Sequence, residues 1–130
     1  MNPPVLALVG ASGAVTDIIG TAPVRCFAFG VVPAPPVGEP ADFHLPCLTY
    51  KTLTSRPEHT LGAAPSAERL RVRVEAWAAD ADTAMTLFDA ARAALEDGGK
   101  NVLVWGNKQK YDAATQRYRV RGKFDFWVDR

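Results

Sequence analysis

Residues 68–99 read ERLRVRVEAW, from Glu68 to Trp77, and continue as AADADTAMTLFDAARAALEDGG. At Asp80 its hydrophobic period changes from two residues to about 3.6 residues, which predicts a strand that leads directly into a helix. In the strand, apolar side chains alternate with charged ones, so one face is dry and the other is charged. The dry face comprises Leu70, Val72, Val74 and Ala76, and the charged face comprises Arg69, Arg71, Arg73 and Glu75.

The helix is predicted over about 81–97, with one apolar stripe for the core and the opposite side for water. The stripe consists of Ala84, Leu87, Phe88, Ala91, Ala94 and Leu95, and the wet side of Asp82, Asp89, Arg92 and Glu96. Asp80 is placed to cap the first turn, and Asp82 suits the positive end of the helix dipole. Gly98 or Gly99 supplies the left-handed residue that commonly ends a helix.

Further elements flank this unit on both sides. The apolar run near the N-terminus predicts a helix over 5–9 that ends near Gly10 or Gly13, followed by one more helical turn over 16–19. Runs of β-branched and aromatic residues predict strands over 24–32, 47–54, 101–111 and 117–128. The segments between them are a proline-rich surface loop at 33–46, a hairpin-like excursion at 55–67 and a hairpin tip at 112–116.

The order α-β-β-β-α-β-β predicts an α+β fold, in which the long helix packs on one face of a mixed, mainly antiparallel sheet. The length of 130 residues suits a single domain spanning 1–130. Two cysteines are too few for a disulfide framework and fit a reducing compartment. The apolar N-terminal run lacks the basic start of a signal peptide and is too short to span a bilayer, so we expect a cytoplasmic protein without a membrane partner.

The sequence does not assemble a catalytic constellation. GASGA at 10–14 lacks the spacing of a Gly-x-Ser-x-Gly nucleophile elbow, and it lacks the Lys-Ser/Thr pair of a phosphate-binding loop. His44 and Cys47 form one weak ligand pair that would need His59 and Cys26 to complete a zinc site, whereas structural zinc normally uses two tight pairs. We therefore expect no enzymatic activity, no cofactor and no bound metal.

A ladder of arginines is the feature that invites a functional interpretation, and its members are Arg69, Arg71 and Arg73 on one strand and Arg117, Arg119 and Arg121 on another. If the two strands are neighbours, like charges stand side by side and destabilise the sheet, with local relief from Glu68, Glu75 and Asp125. A solvated face, whose aliphatic stems cover the sheet, explains the pattern. An interface with an acidic partner subunit or a nucleic-acid backbone explains it as well, with Trp105 and Trp127 as anchors.

Nucleic-acid recognition by sequence is disfavoured. The formal net charge of +1 gives the whole molecule no strong attraction to nucleic acid. Specific recognition would use a helix whose exposed arginine or asparagine side chains contact base edges, whereas the long helix is rich in alanine and aspartate. The mode of DNA contact that remains is electrostatic contact with DNA that passes the protein, without recognition of its sequence.

Four stretches together follow an order found in a known family. They are the N-terminal apolar helix with its glycines, HLPCLTY at 44–50 after a proline-containing loop, LRVRVEAWAAD at 70–80 with the helix to Leu95, and FDFWV at 124–128. In this order the chain resembles the tail terminator (tail completion) proteins of long-tailed bacteriophages. The strand–helix unit is the more specific piece, and the segments 55–67 and 112–116 have no counterpart in the resemblance.

The resemblance implies a non-enzymatic virion protein that forms a ring, usually a hexamer, on the head-proximal end of the tail tube. Such a ring ends tube polymerisation and offers the surface on which the head connector docks. The implied partners are the protein itself, the tail tube protein, a head-completion or connector protein, and DNA that passes through the ring without sequence recognition. The implied location is the neck region of the virion tail, after assembly in the host cytoplasm.

Subunits in a ring use heterologous contacts, so the two sides of one monomer must differ and complement each other. A basic sheet face and an acidic helix side would provide that asymmetry, the latter formed by Asp82, Asp89, Glu96 and Asp97. Two alternatives stay open. One is a head-completion or neck protein of the same particle, and the other is a cytoplasmic nucleic-acid-binding module that uses the Arg/Lys sheet face.

Overall fold

A computed structural model describes residues 3–58, 67–97, 99 and 101–129. Its elements, in chain order, are helix α1 (Val5–Gly10), helix α2 (Gly13–Ile19), strand β1 (Cys26–Phe27), a 3-10 turn (Ala28–Gly30), strand β2 (Cys47–Glu58), strand β3 (Ala67–Ala78), helix α3 (Ala81–Glu96), strand β4 (Val102–Asp112) and strand β5 (Arg117–Asp129). Within the described residues, three α-helices and a five-stranded sheet confirm the predicted α+β class.

The strands lie side by side in the order β1-β2-β3-β5-β4. β1 runs parallel to β2, and the other neighbouring pairs are antiparallel, which confirms a mixed, mainly antiparallel sheet. β3 lies at the centre of this order. The stretch that begins at Glu68 therefore supplies both the central strand and the helix that follows it.

Helix α3 covers the dry faces of β3 and β5, and its residues Leu87, Phe88 and Leu95 are buried. The Phe88 ring meets the Phe124 ring edge-on, with 6.2 Å between their centroids. Gly122 on β5 permits this approach, because a Cβ atom there would lie 2.6 Å from Phe88 Cζ. Helices α1 and α2 pack against α3 and extend the core with Val5, Val9, Val15 and Ile19.

The N-terminal end of α3 confirms the predicted cap, and at the C-terminal end the extended Asp97, with a ψ of 131°, follows the last helical residue. The Asp80 carboxylate accepts a hydrogen bond from the Thr83 backbone N–H at 2.9 Å, and this contact lowers the pKa of Asp80. At the other end, Gly99 has a φ of 74° and donates its N–H to the Glu96 carbonyl at 3.1 Å. Gly98, the alternative terminator, lies outside the described residues. None of the described helices is long and apolar enough to cross a membrane.

Three predicted boundaries are wrong. The strand expected over 24–32 is confined to Cys26–Phe27, because the next residues turn into the left-handed region and cannot continue an extended strand. The strand expected over 47–54 continues to Glu58 and its partner begins at Ala67, so both ends of the 55–67 excursion are strand and its part 59–66 lies outside the described residues. Helix α2 begins at Gly13, three residues before the predicted turn, because the Ser12 hydroxyl caps it.

Candidate functional site: the charged face of the sheet

The charged face is the side of β3 and β5 that points away from α3. β3 and β5 are neighbouring strands, so basic residues of the two strands can stand side by side. The register nevertheless places Arg71 opposite Asp125 and Glu75 opposite Arg121, so each of these two pairs combines a positive and a negative charge. The relief predicted from Glu75 and Asp125 is therefore confirmed.

Arg71 and Asp125 form a two-pronged ion pair on this face. Arg71 Nε donates to Asp125 Oδ1 at 2.8 Å, and Arg71 Nη2 donates to Oδ2 at 3.0 Å. The Asp125 side chain is 9% exposed, and the hydrogen bond from Arg71 lowers the pKa of this carboxyl group. Two parallel N–H···O bonds are the strong form of an arginine–carboxylate contact. Arg71 is therefore committed to a partner within its own chain.

Glu75 is the centre of the charged face. Its side chain is 4% exposed and its carboxylate lies within ion-pair distance of three guanidinium groups, those of Arg73 at 3.3 Å, Arg119 at 3.4 Å and Arg121 at 3.4 Å. We refer to these four residues as the Glu75 cluster. Three positive charges minus one negative charge leave the cluster with a formal charge of +2.

The Glu75 cluster is largely buried and incompletely hydrogen-bonded. The Nε atoms of Arg73, Arg119 and Arg121 are buried and have no hydrogen-bond acceptor among the described residues. Burial lowers the pKa of Arg119, and the neighbouring charge of Arg121 lowers it further. The Arg119 guanidinium also lies 5.7 Å from the Trp77 ring centroid, within the range of a cation–π contact. The cluster therefore carries an excess of positive charge on partly buried side chains.

The chain that follows β1 covers one end of the charged face. Arg117 Nη2 donates to the Ala41 carbonyl at 3.2 Å, which ties the proline-rich loop to the start of β5. Gly30 approaches the Glu75 cluster so closely that a Cβ atom on it would lie 3.3 Å from Arg73 Nη2. Part of the predicted basic ladder is thus engaged by this chain itself.

Two tryptophans on the charged face are each paired with a cation. Lys123 Nζ lies 5.0 Å from the Trp105 ring centroid, and Arg69 Cζ lies 5.9 Å from that of Trp127. Trp105 is 42% exposed and Trp127 is 43% exposed. Both rings therefore keep accessible surface, as the anchor role predicted for them requires.

The acidic residues predicted to complement the basic face lie on α3, on the other side of the sheet. Asp82 and Asp89 are exposed there. Glu96 accepts hydrogen bonds from the Leu103 N–H at 3.0 Å and from Arg92 Nε at 2.8 Å, and the first of these contacts contributes most to lowering the pKa of Glu96. Within one chain the structure does not bring the acidic and basic sets together.

Two surface features are missing from the sequence prediction. Phe29, in the 3-10 turn, is 83% exposed. At the opposite edge of the sheet, a groove of about 260 Å³ opens between the start of α3 and the hairpin of β4 and β5. We refer to it as the edge groove, and its walls include Met85, Gln109, Tyr111 and Tyr118. The only signal for Phe29 was an aromatic residue in a presumed strand, and the groove exists only once α3 packs on the hairpin.

The side chains considered as zinc ligands do not converge. Cys26 and Cys47 are buried, and burial raises the pKa of both thiols to about 12. His44 instead packs edge-on against Phe27 and Phe43, at 5.5 and 4.9 Å between ring centroids. His59 lies outside the described residues. Among the residues that the structure describes, there is no group of three or more histidines, cysteines or acidic residues that could hold a metal ion.

Comparison with known proteins defines the class to which the chain belongs. Residues 3–129 match the family model described as Tail completion protein gp17, which places the chain among the structural proteins of virion tails. The chain belongs to the Tail completion protein gp17 family. The resemblance seen in the sequence is thereby confirmed.

A solved structure shares the fold. A chain in the structure titled "Virion of native gene transfer agent (GTA) particle" is similar with a TM-score of 0.64 and 15% sequence identity, over 97% of this chain and 92% of that chain. No curated protein matches the sequence significantly. The structural similarity to the gene transfer agent chain extends over nearly the whole length of both chains, although few residues are identical.

Proposed function

We propose that the protein forms a ring that caps the head-proximal end of the tail tube, ends tube polymerisation and provides the docking surface for the head connector. The match of residues 3–129 to the tail completion family carries this proposal, because it spans almost the whole chain. Residues 1–130 act as one domain, and a hexamer is the stoichiometry that we expect. No enzymatic step is part of this function.

The distribution of charge supports an assembly of unlike surfaces. The Glu75 cluster carries a formal charge of +2 on one side of the sheet, whereas Asp82 and Asp89 are exposed on the other side. A ring requires such a difference, because each subunit presents two different surfaces to its neighbours. The proposed subunit or partner interfaces draw on Arg69, Arg71, Arg73, Arg117, Arg119, Arg121, Asp82, Asp89, Glu96, Trp105 and Trp127.

The proposed partners are the tail tube protein on one side of the ring and a head-completion or connector protein on the other. DNA passes through the ring without sequence recognition, and the surplus charge of the Glu75 cluster suits contacts with phosphates or carboxylates. The ring assembles in the host cytoplasm and stays in the neck region of the virion. No membrane partner is involved.

Deleting the gene from a particle-producing strain tests this function. We expect tails of uncontrolled length in electron micrographs, and uniform lengths again when the parent gene is supplied. An Asp82→Lys/Asp89→Lys variant should restore uniform lengths poorly, whereas Asp17→Lys, an exposed charge reversal on α2, should restore them fully. Uniform tail lengths without the gene would overturn the cap function, and tails of normal length that fail to join heads would indicate a head-completion protein instead.

A further inference from the structure

Phe29 presents a large apolar ring to solvent. Its side chain is 83% exposed, and its backbone has a φ of 64°, a region that bulky residues rarely adopt. Gly30, with a φ of 69°, holds the turn close to the sheet, since a Cβ atom on it would lie 3.5 Å from Lys51 Cβ and 3.3 Å from Arg73 Nη2. Aromatic residues, phenylalanine among them, are enriched in protein interfaces relative to the rest of the surface.

The edge groove is large enough to receive such a ring. A cavity of ~150 Å³ holds one benzene molecule, and the edge groove has about 260 Å³. Its walls include Met85, which is 37% exposed, and Tyr111, which is 48% exposed and lies 4.6 Å from the Tyr118 ring centroid. Methionine sulfur and aromatic rings both make favourable contacts with a phenylalanine ring.

Phe29 and the edge groove lie towards opposite edges of the sheet. The strand order places β1 at one edge and β4 at the other. Cys26 begins the strand that leads into Phe29, and Gln109 lines the groove. Because β2, β3 and β5 lie between the two edges, Phe29 cannot reach the groove of its own chain.

Residues 31–46 and strand β4 carry opposite charges. Residues 31–46, which follow Phe29, contain the exposed Glu39 and Asp42 and neither lysine nor arginine. Strand β4, which forms one wall of the groove, carries the exposed Lys108 and Lys110. Opposite charges at the rim of an interface favour correct encounter and orientation.

We infer that Phe29 of each subunit inserts into the edge groove of the next copy of the same chain, with residues 31–46 facing strand β4 of that copy. The contact is heterologous, because each copy uses the turn on one edge and the groove on the other. Such a contact repeats from copy to copy and closes into a ring if the rotation allows it. The inference rests on the proposed ring and names the surfaces that join its subunits.

Cysteine cross-linking in assembled particles tests the contact. A Phe29→Cys/Gln109→Cys variant places one thiol on the turn and one on the groove wall, while the native Cys26 and Cys47 are buried. Oxidised particles should yield a ladder of covalent multimers on a non-reducing gel, and each single variant should stay monomeric. A double variant that is present in particles but remains monomeric after oxidation would overturn the inference.

Purified protein gives a second, independent test. Phe29→Ser removes the inserted ring, Gln109→Trp fills the groove, and Val104→Trp is the matched control on the same strand outside the groove. Each of the first two variants should self-associate about 30-fold more weakly, as expected for loss of an interface hot spot. Their mixture should form pairs but no larger assembly, because one intact turn and one intact groove remain.

The outcomes separate this contact from the cap function. If both variants assemble as the parent does and the oxidised double variant gives no ladder, the contact is wrong while the cap function stands. If deletion of the gene leaves tail lengths uniform while the ladder forms, the cap function is wrong and the contact stands.

Discussion

Replacing Glu75 by glutamine tests the organisation of the charged face. The substitution keeps the shape of the side chain but removes the negative charge beside Arg73, Arg119 and Arg121. The guanidinium nitrogens lie 3.3 to 3.4 Å from the carboxylate oxygens, and the Glu75 side chain is only 4% exposed. The variant therefore leaves three cations facing one another around a neutral amide.

The size of the effect follows from the burial of these groups. Removing one member of a buried ion pair destabilises a protein by ~3–5 kcal/mol, because the other charge is left without a partner. The side chains of Arg73, Arg119 and Arg121 are 25%, 14% and 22% exposed, so water screens part of the freed charge. We therefore expect Glu75→Gln to lower the free energy of unfolding by ~2–4 kcal/mol.

Urea unfolding, followed by circular dichroism, measures this loss. Asp89→Asn, which removes an exposed carboxylate from α3, is the matched control and should change stability by ~0.5 kcal/mol or less. A Glu75→Gln/Arg119→Gln double variant should regain part of the stability lost in Glu75→Gln, since fewer unpaired cations remain. A loss for Glu75→Gln no larger than that of the control would refute the central position given to Glu75.

Three further substitutions test the core and the ion pair. Leu87→Asp should unfold the protein because it places a charge at a fully buried position; a thermal melt like that of the parent would show that α3 is misplaced. Gly122→Ala should lower stability by ~1–3 kcal/mol in urea unfolding, because its Cβ would meet Phe88 at 2.6 Å, and an unchanged midpoint would contradict that contact. The pair with Arg71 lowers the folded-state pKa of Asp125, so its stabilisation is present above the unfolded-state pKa and is lost as the pH falls through the folded-state value. The stability advantage of the parent over Asp125→Asn should therefore shrink below about pH 4, and an advantage independent of pH would contradict the pairing.

The centre of the fold could be predicted from the sequence because amphipathic periodicity is a local property. The alternation in 68–77 and the helical stripe after Asp80 each require a dry face, whatever the rest of the chain does. The observed helix, Ala81–Glu96, starts at the predicted first residue and ends one residue before the predicted last residue. The same alternation predicts which side chains of β3 face the core and which face away from it.

The wrong boundaries have tertiary causes. Nothing in the composition of 24–32 indicates that Phe29 adopts a φ of 64°, a conformation that costs ~1–3 kcal/mol and is held by packing of the turn on the sheet. Strand β2 continues through residues with weak strand preference because β3 supplies a partner along its length. Tertiary contacts thus override local preference in both directions: packing of the turn shortens β1, and pairing with β3 lengthens β2.

The charged face was predictable as a set of residues but not as a set of bonds. Alternation places Arg71 and Asp125 on one face, yet their pairing across 54 positions of sequence depends on the register of β3 and β5. The role of Glu75 as partner of three arginines depends on the same register. The edge groove needs the packing of α3 on the hairpin, which no local pattern encodes.

Cryo-electron microscopy of the neck of intact particles tests the proposed cap most directly. We predict a closed ring of this chain between the last turn of the tail tube and the head connector, with the turn that carries Phe29 seated on the neighbouring copy. A tube end without density for this chain, or isolated copies elsewhere in the particle, would contradict the proposal.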